Sequence, residues 1–155
     1  MAQYNLGVIY SNGDGVLVDK TKAAEWYQKA ADKGHAVAQN NLGYMYDNGD
    51  GVLVDESKAA ELIQKAADQG YANAQYNLGL MYANGDGVSV DKLKAAEWFQ
   101  KAAAQGIAEA QYNLGRMYYL GEGVEINKSK AVEWLTNAAA QGNSEAIAFL
   151  EQIVD

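Results

Sequence analysis

Asparagine recurs immediately before a Leu-Gly dipeptide in this 155-residue chain, and it is the most distinctive chemical feature of the sequence. The four copies, 36 residues apart, are Asn5, Asn41, Asn77 and Asn113. A side-chain amide offers two donors and an acceptor, so a row of amides matches the hydrogen-bonding groups of an extended peptide. Asparagine is also a poor helix-interior residue, so its recurrence needs a reason. Two interpretations stay open: a ladder that binds a peptide backbone, or hydrogen bonds to the neighbouring repeat or loop.

We call residues at the same helix position in successive repeats a column, and the asparagines form the first. Three more columns lie on the same side of the helix when residues are placed at 100° intervals. They are Tyr4, Asn40, Tyr76 and Tyr112; then Val8, Tyr44, Leu80 and Arg116; then Ser11, Asp47, Ala83 and Tyr119. Tyrosine suits a recognition surface because it combines a large contact area with a polar tip, although stacking between repeats explains it equally. Arg116, the sole arginine, can hold a carboxylate through two hydrogen bonds. An ion pair with Glu109 or Glu145 is the favoured alternative.

The residue types that are scarce exclude several classes of chemistry. The chain has no cysteine and a single histidine, His35, which excludes disulfides, thiolate zinc sites, cysteine nucleophiles and histidine-rich metal sites. Its carboxylates form no evident acid–base couple. The Gly-x-Gly loops lack the G-K-[ST] ending of a phosphate loop, and DNGDGVLVD (47–55) has glycines where a calcium loop needs oxygen ligands. We therefore predict a non-enzymatic protein without cofactor or metal.

Charge and hydropathy reduce the classes of partner that the sequence is compatible with. The net charge of −8 argues against nucleic acid, which would need a basic patch. Apolar runs fall far short of a membrane span, and MAQYNLGVIY lacks the flanks of a signal peptide, so no membrane or export segment is expected. The remaining partners are proteins or peptides; the compartment stays open, and a bacterial or synthetic origin fits equally.

The elements that position these columns follow from the 36-residue period. Units 35–70 and 71–106 share 25 of 36 residues, so the chain is a stacked repeat array. Each unit predicts two helices: the first ends at a glycine such as Gly49, and the second is capped by Asp19, Asp55, Asp91 or Asn127. The predicted repeats cover 1–34, 35–70, 71–106 and 107–142, with a capping helix at 143–155. Glu25–Lys29, Glu61–Lys65 and Glu97–Lys101 predict i,i+4 ion pairs on an outward, solvated face.

The segment AQYNLGLMYANGDGVSVDKLKAAEWFQKAAAQG at 74–106 resembles the Sel-one-like repeat family, a relative of the tetratricopeptide repeats. It carries A-x-x-x-L-G-x-x-Y, G-x-G-V, D-x-x-K-A-x-x-W and K-A-A-x-x-G, and the likeness covers nearly the whole chain. The resemblance implies an all-α, right-handed α/α solenoid (superhelix) of four helix-turn-helix repeats with a C-terminal capping helix. It also implies a concave groove lined by the first helices and a non-catalytic scaffold or adaptor role. The columns above are then the candidate groove residues.

Two other functions remain as alternatives. The near-identical units, and a first unit that begins two residues late in register, also fit an engineered, duplicated or fragmentary array without a natural ligand. A remote alternative is a hydrolase of cell-wall fragments or β-lactams, which some bacterial relatives were once suspected to be. The two ends offer apolar residues, Leu6 and Ile9 against Phe149 and Ile153, so weak head-to-tail self-association is also expected.

Overall fold

The structure, a computed structural model, describes residues 1–154, and over that range every regular element is an α-helix. The helices are α1 Ala2–Asn12, α2 Lys20–Ala31, α3 Ala36–Asn48, α4 Glu56–Asp68, α5 Ala72–Asn84, α6 Lys92–Ala104, α7 Ala108–Leu120, α8 Lys128–Ala140 and α9 Ser144–Val154. The order gives two helices for each predicted repeat and one further helix at the C-terminal end. In the described range no helix is both long and apolar enough to cross a membrane.

Side-chain caps begin the second helix of each repeat as the sequence predicts. Asp19, Asp55, Asp91 and Asn127 each accept a hydrogen bond from a backbone N–H three residues later. The same four residues donate their own backbone N–H to a first-helix tyrosine carbonyl, from Asp19 to Tyr10 for example, at 2.8–2.9 Å. One residue in each connection therefore both caps the second helix and hydrogen-bonds to the end of the first helix.

Glycine allows the two helices of a repeat to approach closely. A Cβ placed on Gly43 would lie 2.7 Å from Ile63, and on Gly7 it would lie 2.5 Å from the Tyr27 ring. Contacts this short leave no room for a side chain. The buried residue of each second helix therefore packs directly on the first-helix backbone.

A second glycine, in the connecting loop, allows one repeat to contact the backbone of the preceding repeat closely. A Cβ on Gly51 would lie 2.3 Å from the carbonyl carbon of Lys20, and on Gly123 it would lie 2.2 Å from the carbonyl oxygen of Lys92. Both glycines also have positive φ, 71° and 69°. These loops therefore rest on the first turn of α2 and α6, and only glycine satisfies both conditions.

Two compact units make up the chain. The first unit is Met1–Ala74 with Asp86–Val88, and the second is Gln75–Gly85 with Ser89–Asp155. The first has a core of alanines from α2 and α3 around Tyr27, Leu42 and Met45. The second packs Phe99, Leu114 and Met117 in the same way, and Leu135 packs with the cap residue Ala146.

The outward charges differ from the prediction in two repeats. Lys65 and Glu61 form the expected ion pair. Lys29 and Lys101 instead lie over the indole rings of Trp26 and Trp98, with the ammonium 4.1 Å and 3.8 Å from the ring centroids. An i,i+3 tryptophan face competes with the i,i+4 carboxylate for the lysine, and α4 has Leu62 at that position.

Candidate partner-binding recesses

A recess lies at the contact between the first two repeats, and it is called here the first recess. It has a volume of about 330 Å³ and is lined by Ser11, Lys20, Tyr27, Asn40, Asn41, Tyr44, Met45 and Asp50. These residues come from α1, α2, α3 and the loop that follows α3. The loop and α2 meet there because Gly51 rests on Lys20.

The polar groups of the first recess bond to one another. Lys20 Nζ donates to the Ser11 hydroxyl and to the Ser11 carbonyl, both at 3.1 Å. The buried Tyr27 hydroxyl is hydrogen-bonded to the side chains of Asn41 and Ser11. Burial raises the pKa of Tyr27, and these two hydrogen bonds partly oppose that rise. Lys20, Ser11, Tyr27 and Asn41 thus form a hydrogen-bonded network within the first recess.

A second recess lies two repeat lengths further on, entirely in the second unit. It has a volume of about 220 Å³ and is lined by Leu80, Ala83, Asn84, Lys92, Phe99, Asn113, Arg116, Met117 and Glu122. Seven of these stand in register with the first recess: Ala83 for Ser11, Lys92 for Lys20, Phe99 for Tyr27, Asn113 for Asn41, Arg116 for Tyr44, Met117 for Met45 and Glu122 for Asp50. The repeat frame therefore builds the same recess twice with different chemistry.

The second recess lacks the two hydroxyls that join the polar groups of the first. Ala83 and Phe99 replace the serine and the tyrosine. Asn113 hydrogen-bonds to the hydroxyl of Tyr76. Burial, followed by the charges of Glu109 and Glu145, raises the pKa of Tyr76, and the bond to Asn113 opposes this rise.

Arg116 has a different partner from the one expected. Its terminal nitrogen lies 4.0 Å from a carboxylate oxygen of Glu122, whereas Glu109 and Glu145 act on Tyr76. The favoured ion pair with those two glutamates is therefore wrong. A distance at the limit of an ion pair between side chains about 40% exposed contributes little stability. The Arg116 Nε is buried and has no hydrogen-bond partner among the described residues.

The asparagine column divides by environment. Asn5 is exposed and Asn77 is half-buried, while Asn41 and Asn113 line the two recesses. Both recess asparagines hydrogen-bond to a tyrosine hydroxyl, Tyr27 for the first and Tyr76 for the second. These bonds fit the structural interpretation at those two positions, and the peptide ladder stays a prediction.

The tyrosine columns are engaged in ring packing. Tyr4 stacks on His35 with centroids 4.7 Å apart, and Tyr76 is tilted against Phe99 at 5.9 Å. Tyr112 and Tyr119 both meet the edge of Phe149, at 6.5 Å and 5.4 Å. The tyrosines remain half-buried, so part of each ring is accessible.

The other predicted groove residues vary in exposure. Asn40 is only 8% exposed, so it offers little surface to a partner. Val8 and Leu80 are half-buried against their cores, and Asp47 is exposed. Tyr44 is 56% exposed at the edge of the first recess.

Sequence reasoning missed a pair of glutamines within one repeat, one of which also hydrogen-bonds to the preceding repeat. Buried Gln39 donates through Nε2 to the Ala31 carbonyl at the end of α2, and Gln69 Nε2 donates to Gln39 Oε1 at 2.7 Å. The second unit repeats this with Gln111 and Gln141. The available signal was glutamine recurring on a buried face, because a buried amide must find partners.

The four repeats match the family model of the Sel1 repeat at residues 1–35, 36–71, 72–107 and 108–143. These segments begin one residue after the predicted ones from the second repeat onward. No curated protein matches the chain.

Solved structures give the same result. A Sel1 repeat protein from Oxalobacter formigenes is 40% identical over 99% of this chain and 44% of its own, with a TM-score of 0.91. The protein c5321, a protective antigen of uropathogenic Escherichia coli strains displaying an SLR fold, is 39% identical over 96% of this chain and 32% of its own, with a TM-score of 0.92. Helicobacter pylori cysteine rich protein B is 27% identical over 90% of this chain and 100% of its own, with a TM-score of 0.67.

The chain thus spans less than half the length of the first two of these proteins. Its fold class is the predicted one, an all-α helical-repeat solenoid with a C-terminal helix. Four matched repeats and the two relatives near 40% identity lead to one conclusion: the chain belongs to the Sel1 repeat family.

Proposed function

We propose that this protein is a non-catalytic scaffold that binds a segment of a partner protein on the first-helix surface of its repeats. Sel1 repeat proteins are generally protein-interaction scaffolds, which supports the broad role. The finer assignment, a partner segment seated at a recess of either unit, comes from the side chains of this chain.

The observation that carries the proposal is an exposed aromatic ring at the edge of a recess. Tyr44 is 56% exposed, so more than half of its surface is open to a partner. It lies beside the first recess, where a partner side chain would cover both the ring and the cavity. Tyrosine at such a place typically contributes strongly to binding because it loses little conformational entropy.

Variation along the column supports the same proposal. The position of Tyr44 holds Val8, Leu80 and Arg116 in the other repeats, whereas the neighbouring core positions keep leucine and glycine. The core positions are fixed by packing that is the same in each repeat. Tyr44, Leu80 and Arg116 at the variable position border the recesses, so the chemistry there differs from one recess to the other.

A displayed library of random peptides, selected on the purified protein, tests this function. We expect selected peptides to bind Tyr44→Ala or Arg116→Ala about tenfold or more weakly than the original protein, as for interface hot spots. The matched control is Lys65→Ala, which alters an exposed lysine in α4 outside both recesses. Equal melting temperatures would show that the variants remain folded.

Two outcomes contradict the proposal. One is a selection that yields no binding peptide. The other is a set of peptides whose affinity is unchanged by both recess variants, which would place binding elsewhere on the molecule.

A further inference from the structure

We infer that the second recess is a carboxylate-binding site, so that the partner segment carries an acidic group at this point. The inference rests on the proposed function and adds the chemistry of the ligand. It concerns the second unit alone, because the first recess is lined differently.

Arg116 is the first reason. Within residues 1–154 its buried Nε has no hydrogen-bond partner, and its ionic contact there is Glu122 at 4.0 Å. Folded proteins rarely leave a buried donor unsatisfied, and an unexplained one often marks a place where a further group belongs. The planar guanidinium presents Nε and a terminal nitrogen side by side, which matches the two oxygens of a carboxylate.

The charge of the recess is the second reason. Lys92 and Arg116 supply two positive charges against the single negative charge of Glu122. The chain as a whole carries a net charge of −8. The lining side chains of this recess are therefore positive on balance although the protein is acidic, and they are complementary to an anionic group.

The counterpart of Lys92 shows why the two recesses differ. In the first recess Lys20 Nζ is held by the hydroxyl and carbonyl of Ser11. Ala83 stands at the serine position in the second recess and has no hydroxyl. The ammonium of Lys92 therefore lacks that side-chain acceptor and can turn to a ligand.

The floor of the recess sets the remaining preference. Phe99 and Met117 are buried there, and Leu80 is half-buried beside them. This apolar surface can cover the methylene groups of a glutamate or an adjacent apolar residue. The site therefore fits a carboxylate of a peptide, from an acidic side chain or from a chain terminus.

The single arginine gives a direct measurement. The ¹⁵Nε–¹Hε resonance of Arg116 needs no assignment among arginines, so it can be followed while three peptides are added in turn. The peptides are acetyl-Leu-Glu-Leu-amide, acetyl-Leu-Gln-Leu-amide and acetyl-Leu-Gln-Leu with a free carboxylate. We expect a saturable shift with the two acidic peptides, and about tenfold weaker binding of the neutral one. The tighter of the two acidic peptides identifies the source of the carboxylate.

Variants separate this site from general binding. Arg116→Gln should abolish binding of the acidic peptides, and Lys92→Gln should weaken it. Binding is measured through the backbone amide shifts of Asn113 and Glu122. Lys20→Gln, the matched change in the first recess, should leave the affinity for the acidic peptides unaltered.

Affinity for the neutral peptide equal to that for both acidic peptides, or no saturable shift with either acidic peptide, would overturn the carboxylate assignment. If library peptides still depend on Tyr44 in that case, the proposed function stands and only the ligand chemistry is wrong.

Discussion

The two recesses are built by equivalent positions of the repeat, but their polar groups are satisfied differently. In the first, Ser11, Lys20 and Tyr27 form hydrogen bonds within the recess. In the second, alanine and phenylalanine at positions 83 and 99 lack the hydroxyls, and Arg116 adds a buried nitrogen that no described residue hydrogen-bonds. The comparison teaches that a repeat array can keep its packing residues and still change what each joint binds, through a few positions that border a cavity.

The connecting loops show a similar contrast. Leu17 and Leu53 in the first unit are each 90% exposed, and the equivalent positions in the second unit are Ser89 and Glu125. None of these residues packs in the core, so the repeat frame does not select them. At this loop position the first unit therefore exposes an apolar side chain and the second a polar one.

The largest predicted effect tests whether the two recesses share one frame. Gly51→Ala and Gly123→Ala should each lower the free energy of unfolding by about 3 kcal/mol, because the new Cβ meets the backbone of Lys20 or Lys92. Gly15→Ala is the control: Gly15 also has positive φ but no heavy atom within 4 Å of the new Cβ, so about 1 kcal/mol is expected. Urea unfolding followed by circular dichroism measures all three. A clearly unequal loss for the two loop glycines would break the comparison.

The second prediction concerns the internal network of the first recess. Tyr27→Phe should lower the free energy of unfolding by about 2 kcal/mol, because Ser11 and Asn41 lose a buried hydroxyl partner. The pKa of Tyr27 is raised in the folded state, so the unfolded chain ionises first as pH rises past about 10. Stability that is present below that pH is therefore lost above it.

The same variant should consequently lose less stability than the original protein between neutral pH and about pH 10.5. Urea unfolding at the two pH values measures the difference. Tyr44→Phe, which removes an exposed hydroxyl, is the matched control and should behave like the original protein. A Tyr27→Phe protein with unchanged stability at both pH values would show that the hydroxyl network contributes nothing.

The smallest predicted effect sharpens the comparison by converting one recess into the other. Ser11→Ala, Tyr27→Phe and Tyr44→Arg together give the first recess three residues of the second. In an Arg116→Gln background the introduced arginine is the sole reporter, and it should bind acetyl-Leu-Glu-Leu-amide about tenfold more tightly than the glutamine peptide. The Arg116→Gln protein without the triple change is the control; it has no arginine, so its binding is followed by backbone amide shifts. If the introduced arginine binds both peptides equally, these three residues do not determine the preference of a recess for a carboxylate.

Short-range features of the fold were predictable from the sequence. Asp55 caps α4 through the backbone N–H of Lys58, and Gly49 ends α3 in a left-handed conformation, both as expected. The recurring Leu-Gly pairs correctly indicated close helix packing, and the residues of the second recess included Leu80, Asn113 and Arg116 from the predicted columns. These results follow from spacing within one or two helical turns.

Contacts between elements were not predictable in the same way. Glu122 replaced Glu109 and Glu145 as the ion-pair partner of Arg116, Lys29 turned to Trp26, and Gln39 was joined to Gln69 across 30 residues of chain. Several partners for each group lie at acceptable spacing in the sequence. Only the approach of helices and loops in space selects one of them.

The sequence by itself determined the repeat, the helices, their caps and the family, because periodicity and capping depend on residues close along the chain. The tertiary structure alone decided the recesses, since each needs two first helices, a second helix and a loop from adjacent repeats. It also decided which polar groups satisfy one another there. Hydrogen bonds and ion pairs depend on distances of a few ångströms, which the spacing of residues does not fix.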